Sequence, residues 1–414
     1  MNTQYWWDTY GPFDPDPNDP NFPNAGQVVR HYRLLKKWTP AQLGEALDKS
    51  ARWVQAMEHD NIVPEAISRR RVLATILGIP TILLGLAHVE NGNTPPEPIN
   101  IKAAKKISID ARTIEQYQEI LRLYWEIDYT STASDSMDDI GRWIRYLRNI
   151  APESGSNQPS VLELLCRYHQ LVTWIARDQR DYSTAFTHAN RALKLARSLD
   201  NNELIAATLF RRGRTSLEQG DINAAIADLD AALPYAQHAR AQLKGLVLLA
   251  AGHARAHAHT ITSTDEIQAM MLLDQASRIV RRGKLEDDES FVKLSTGRYH
   301  QDRAGALIAV GKYNDALDEL DLADRGVSPD QTRRHAYIDV LRGQTYAGME
   351  EFPTAASIAE DALGVSKAIH SSINIARIKE IHDQLSTSKY GSSPQVGRLG
   401  LSIARNLPTN LKRH

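Results

Sequence analysis

Apolar residues in this chain recur at helical spacing almost from end to end. From Gly26 to about Ala87 they fall in short elements separated by tight turns, as in GQVVRHYRLLKK (26–37), where Val28, Val29, Tyr32 and Leu35 share one face. The proline-rich stretch NGNTPPEP (91–98) breaks the pattern and marks a linker. From about Asp110 to Ser386 longer amphipathic helices follow one another, and no segment alternates with the period of a strand. The prediction is an all-α protein: an arm (1–25), a small helical head (26–88), a linker (89–109), a helical array (110–388) and a tail (389–414).

The array repeats. FRRGRTSLEQGDINAAIADLDAAL (210–233) aligns with VLRGQTYAGMEEFPTAASIAEDAL (340–363), and further copies start near 179, 262 and 301. Their shared marker is a pair of alanines seven apart: Ala185/Ala192, Ala225/Ala232, Ala269/Ala276, Ala316/Ala323 and Ala355/Ala362. Two helical turns apart, such small side chains let a second helix approach closely. With mid-helix Gly213 and Gly343, turn glycines Gly220 and Gly311, and the following aromatics Tyr182, Tyr313 and Phe352, the array resembles tetratricopeptide repeats. The markers recur every 39 to 47 residues, longer than the usual repeat of about 34. The resemblance implies a right-handed α-solenoid with a concave groove. The pair 111–150 is expected to open the array and helix 371–386 to cap it.

Residues 26–80 resemble the helix-turn-helix domain of Xre/Cro-type regulators. Thr39, Pro40 and Gln42 spell a capping box at the start of a second helix. Ser50 caps the third, KSARWVQAMEHD, with Val54 and Met57 facing inward and Glu58 at the position where the family ends this helix with a glutamate. The resemblance places the third helix in the DNA major groove. Carried over by position, Thr39, Lys49, Ser50, Ala51, Arg52, Trp53 and Gln55 face the duplex, and only Arg52 has the fork that pairs bidentately with guanine. Ala51 and Ala56 offer methyl contact alone.

Charge adds a local signal. The whole chain has a formal net charge of −1, yet residues 26–71 hold nine Lys/Arg against five Asp/Glu, a footprint suited to a phosphate backbone. The arm carries four aspartates, five prolines and six aromatics; it docks on its own protein, binds a partner, or acts as an acidic flap over the basic face. The single cysteine, Cys166, excludes an intrachain disulfide and fits a reducing cytoplasm. No secretory signal opens the chain, and the apolar run 72–87, broken by Gly78, Pro80 and Gly85, reads as core rather than as a membrane span.

Domain order, helix-turn-helix then repeats, resembles the peptide-pheromone-responsive (RRNPP-type) bacterial regulators. That resemblance implies a homodimer on a palindromic duplex operator and a short peptide or protein segment in the repeat groove. By register the groove holds Arg167, Trp174, Arg177, Phe210, Arg214, Arg298, Gln301, Tyr337 and Gln344. Arg212, Arg303 and Arg342 recur at one repeat position and are placed to bridge repeats through acidic neighbours. His253, His257 and His259 lack a carboxylate to complete a metal set, so no metal or cofactor is expected. No nucleophile, phosphate loop or paired acid suggests an enzyme. The alternative is an interaction scaffold whose head has lost DNA binding.

Overall fold

The computed structural model describes residues 5–47, 49–64, 67–86, 110–130, 137–258, 262–282, 293–328, 331–369 and 371–405, with side chains at 67–68 and 127–130 excepted. The expected linker 89–109 and the basic end of the tail lie outside these residues. The described chain is all helical, with eighteen α-helices in sequence order and short 3-10 turns between some of them. Among the described residues no helix is long and apolar enough to cross a membrane. Two compact units divide the chain: residues 1–124 with 138–164, and residues 125–137 with 165–414.

In the first unit four short helices form the head: α1 (Ala25–Leu35), α2 (Pro40–Ala46), α3 (Ala51–His59) and α4 (Ile67–Leu77). The capping box at Thr39 is present in both directions, Gln42 N–H to Thr39 Oγ1 at 3.2 Å and Thr39 N–H to Gln42 Oε1 at 2.7 Å. Gly44 makes the α2–α3 turn possible, because a Cβ there would stand 2.6 Å from the Lys49 carbonyl oxygen. Val28, Val29, Leu43, Val54, Met57, Leu73 and Leu77 close the head core. The apolar run 72–87 completes it, with Leu83, Leu84 and Leu86 buried. On α1 the expected face is rotated: Leu34 and Arg33 are buried, while Leu35 is only partly so. Arg33 is drawn inward by Glu58, which accepts from Arg33 Nε at 2.6 Å and from Nη2 at 2.7 Å. The arm docks on this core, with Trp7 fully buried and its Nε1 donating to the Phe13 carbonyl at 3.0 Å.

Helices α5 (Ala111–Thr130, of which 111–124 belong here) and α6 (Met137–Ile150) were expected to open the repeat array, but they group with the head. Ion pairs Arg30–Asp139 at 2.7 Å and Lys37–Glu119 at 2.7 Å tie α1 and its C-terminal turn to them. His31 stacks on Trp143 with centroids 5.8 Å apart.

The second unit is a tetratricopeptide-like stack of helix pairs. α7 (Gln158–Asp178, of which 165–178 belong here) precedes α8 (Tyr182–Ser198), then come α9 (Asn202–Gln219) with α10 (Ile222–Ala236) and α11 (Ala241–Ala256) with α12 (Ser263–Arg281). The stack continues with α13 (Thr296–Ala309) and α14 (Tyr313–Arg325), then α15 (Thr332–Gly348) and α16 (Phe352–Ala368). α17 (Ser372–Ser386) and α18 (Pro394–Ala404) close it. Every marker alanine lies on the second helix of its pair and is at most 1 % exposed. The first helix sits against those alanines; a Cβ at Gly213 would be 2.7 Å from Leu229 Cγ. Gly220 and Gly311 end their helices at φ +89° and +75°, a conformation side chains resist.

The recurrent arginines do bridge repeats. Arg212 donates to Asn190 of the preceding pair at 2.8 Å and from Nε to Asp228 at 2.8 Å. Arg303 reaches back to Asp274 at 2.9 Å and sideways to Glu319 at 3.0 Å, and Arg342 reaches Asp321 at 3.0 Å. Arg255, with no such role assigned from the sequence, does the same through Asp230 at 2.6 Å.

Candidate functional site

The residues singled out in the sequence fall on two surfaces. On the head, Ser50 caps α3 by accepting the Trp53 N–H at 3.1 Å, which fixes where the helix begins. With Val54, Met57 and Glu58 turned inward, Lys49, Arg52 and Gln55 are exposed on the opposite side, with Ala51 and Ala56 partly exposed beside them. Trp53 is half-buried and packs against the head core. Thr39 is exposed, and its hydroxyl is engaged in the α2 cap.

In the second unit the first helices of the pairs surround a cavity of about 240 Å³. Six of the nine groove residues line it: Trp174 and Arg177 from α7, Arg214 from α9, Arg298 and Gln301 from α13, and Tyr337 from α15. Arg167, Phe210 and Gln344 do not. Phe210 is 2 % exposed and belongs to the apolar core with Leu229 and Val247. Arg167 is also buried, and Gln344 is half-buried away from the lining. The cavity meets α7 and α9 near their C-terminal ends and α13, α15 and α17 near their N-terminal ends. Arg167 and Phe210 lie too early on their helices to reach it, and Gln344 too late.

The sequence reading missed much of the wall. Glu126, Asp178, Glu218, Lys293, Arg333, Arg334, Asn374 and Arg377 also line the cavity. Arg377 lies on α17, which follows the last pair of marker alanines and so carries no repeat signal. Two pairs of these residues join distant parts of the array: Asp178 on α7 pairs with Arg333 on α15, and Glu218 on α9 pairs with Arg377 on α17. Helices about 150 residues apart in sequence therefore meet across the groove, and the cavity is bridged rather than an open trough.

Charge within it is unbalanced. The described lining holds seven Arg/Lys against three Asp/Glu. Arg177 lies over the Trp174 ring at 3.6 Å and Arg377 over Tyr337 at 4.2 Å, so the aromatics serve as flat supports for guanidinium groups. Burial pulls the Arg177 pKa down to about 10, against the opposing pull of Glu218. Burial also drives the Asp302 pKa upward, but Arg298 (Nε 2.8 Å away) and Arg214 outweigh it and hold that carboxyl well below the usual range. Glu218 is likewise lowered, its burial outweighed by Arg377, Arg177 and Arg214. His253, buried and held well below its ordinary pKa by desolvation, has Nδ1 3.1 Å from Arg214 Nη1 and so accepts from it as a neutral ring. His257 is shifted down too, chiefly by burial, and donates Nδ1–H to the His253 carbonyl at 3.0 Å. Both rings thus serve the arginine network. His259 lies outside the described residues.

No protein-family model and no curated protein matches the chain. Among solved structures, Bacillus thuringiensis PlcR, crystallised in complex with the peptide PapR7 and DNA, aligns at 13% identity over 77% of this chain and 98% of that one, with a TM-score of 0.37. The TPR domain of P58(IPK) aligns at 13% identity over 92% of this chain and 98% of that one, with a TM-score of 0.23.

Proposed function

We propose that the protein is a ligand-responsive transcription regulator: an Xre-type helix-turn-helix head binds duplex DNA, and the repeat cavity senses a small ligand, a short peptide in the first instance. The observation that carries this reading is the exposed start of α3, where Lys49, Arg52 and Gln55 point outward from a well-capped helix in a locally cationic head. Helix N-terminal residues of this kind reach base edges while lysines hold phosphates. The donor-rich, aromatic cavity supports a sensing role for the array. A homodimer is part of the proposal, since one such helix offers too few base contacts for genomic selectivity. Exposed Leu401 on α18, and Ile267 with Met271 one turn apart on α12, are apolar surface for it. The competing scaffold reading is favoured by Ala51, Ala56 and the inward-leaning Trp53, which leave the code thin.

The test is duplex binding by the full chain, by selection from random sequence and then by anisotropy across a salt series. The expected result is binding that weakens steeply with salt, and a loss of about 1–3 kcal/mol at one base position in Arg52→Ala. Binding to no duplex at any salt would establish the scaffold reading instead.

A further inference from the structure

Four arginines, Arg177, Arg214, Arg298 and Arg377, and the carboxylate of Glu218 line the cavity, and the Asp302 carboxylate stands beside it against Arg298 and Arg214. Glu218 is shared by Arg377, Arg177 and Arg214; Asp302 is shared by Arg298 and Arg214. The adjoining histidines stay neutral, and Asp178 is occupied by Arg333. Among the described residues of the wall, Arg and Lys outnumber Asp and Glu by seven to three. Arg177 and Arg214 are 7 % and 3 % exposed, so water does not make up the difference. An uncompensated charge in such surroundings is strongly destabilising, and proteins normally pair or neutralise it.

Hydrogen bonding shows the same deficit at the same place. Arg177 Nε and Nη1, Arg214 Nε, Gln301 Oε1 and, beside them, Asp302 Oδ1 are buried and make no hydrogen bond to any described residue. The Gln301 amide, 2 % exposed, presents an acceptor or, turned over, two donors. Buried polar atoms left unmade cluster where an ion or ligand belongs. At about 240 Å³ the space falls below the roughly 300–1,000 Å³ of pockets that enclose drug-sized molecules.

We propose that this cavity binds a compact dianion, a phosphate monoester or a small dicarboxylate, with Arg177 as its principal ligand and Arg214 and Gln301 completing the shell. This rests on the sensing role proposed above and replaces a whole peptide by a small anionic molecule. A phosphate monoester brings about −1.5 to −2 charges near neutral pH, the sign that a cation-rich wall favours, and its oxygens suit the planar fork of a guanidinium group. The bound dianion would touch α7, α9 and α13 together. It would therefore reinforce the same closure that Asp178–Arg333 and Glu218–Arg377 make across the groove.

The experiment uses the full chain without DNA: thermal melting and calorimetric titration with inorganic phosphate, glycerol phosphate and succinate, each against sodium chloride at matched ionic strength and pH 8. Saturable stabilisation by about 3–6 °C by at least one dianion, absent with chloride, is expected. Arg177→Met should weaken that binding at least tenfold yet melt, without ligand, no lower than the parent. Gln301→Glu, which adds one counter-charge in place, should also weaken dianions tenfold without lowering the melting point. Stabilisation no greater than that given by chloride overturns the proposal. So does unchanged affinity in both variants, or binding restricted to peptides. The last result would leave the sensing role standing, whereas failure to bind any duplex would remove the regulator reading whatever the dianions do.

Discussion

Each unit buries arginine, and the two burials are opposite in kind. In the head, all three guanidinium nitrogens of Arg33 are engaged: Nε and Nη2 on Glu58, and Nη1 on the Trp38 carbonyl at 2.7 Å. One cation meets one bidentate anion, and the result is a fixed brace between α1, α3 and the turn after α1. In the array, Arg177 lies on Trp174 with two nitrogens unbonded, in a network where arginines outnumber carboxylates. A satisfied pair is framework; an unsatisfied set is a site.

The sharpest way to break this comparison is to remove one acid from each place. Glu58→Gln leaves Arg33 buried with no counter-charge and should cost about 3–5 kcal/mol. Asp302→Asn, which enlarges the excess in the cavity, should cost a similar amount. The two should then part company: added inorganic phosphate should recover much of the Asp302→Asn loss and none of the Glu58→Gln loss. Denaturant melts with and without phosphate check both.

A smaller effect concerns pH. His253 has a folded pKa well below its ordinary value near 6.5, so the unfolded chain binds the extra proton. Its contribution is fully present above pH 6.5 and is lost as pH falls below that. Glu218 and Asp302 are also depressed; their contribution is complete above about pH 4.5 and is lost further down. Array stability should thus fall in two stages on acidification, and His253→Gln should make the upper one shallower, the remainder belonging to His257 and His188, which burial lowers in the same direction. His31 in the head, lowered to about 4 by burial, has the same sign, so the measurement needs a probe specific to the array, such as hydrogen exchange of the α9 and α11 amides.

Least should happen at the repeat-bridging arginines. Arg212 is about a quarter exposed, and Arg212→Ala should cost no more than about 1 kcal/mol and leave dianion binding unchanged. A large loss of binding would mean that the inter-repeat bridges, and not the cavity arginines, control the site.

The helical period and the alanine pairs were legible in the chain because they are local: a face, a cap and a close approach each need only residues within two turns. The Thr39–Gln42 box, the Ser50 cap and the burial of Ala225 and Ala232 all followed from spacing alone. So did the choice of groove-facing helices and the bridging role of Arg303 and Arg342. Spacing names a face of a helix but not a height along it. Which turn of α7 stands level with which turn of α13 depends on the tilt accumulated over the intervening pairs. That tilt brought Arg177, Gln301 and Arg377 together and left Arg167, Phe210 and Gln344 aside. It also decided that α7 and α9 would meet α15 and α17 through ion pairs between residues 155 and 159 positions apart. No periodicity within one helix encodes such a meeting, because the small rotations that produce it are summed over the whole stack.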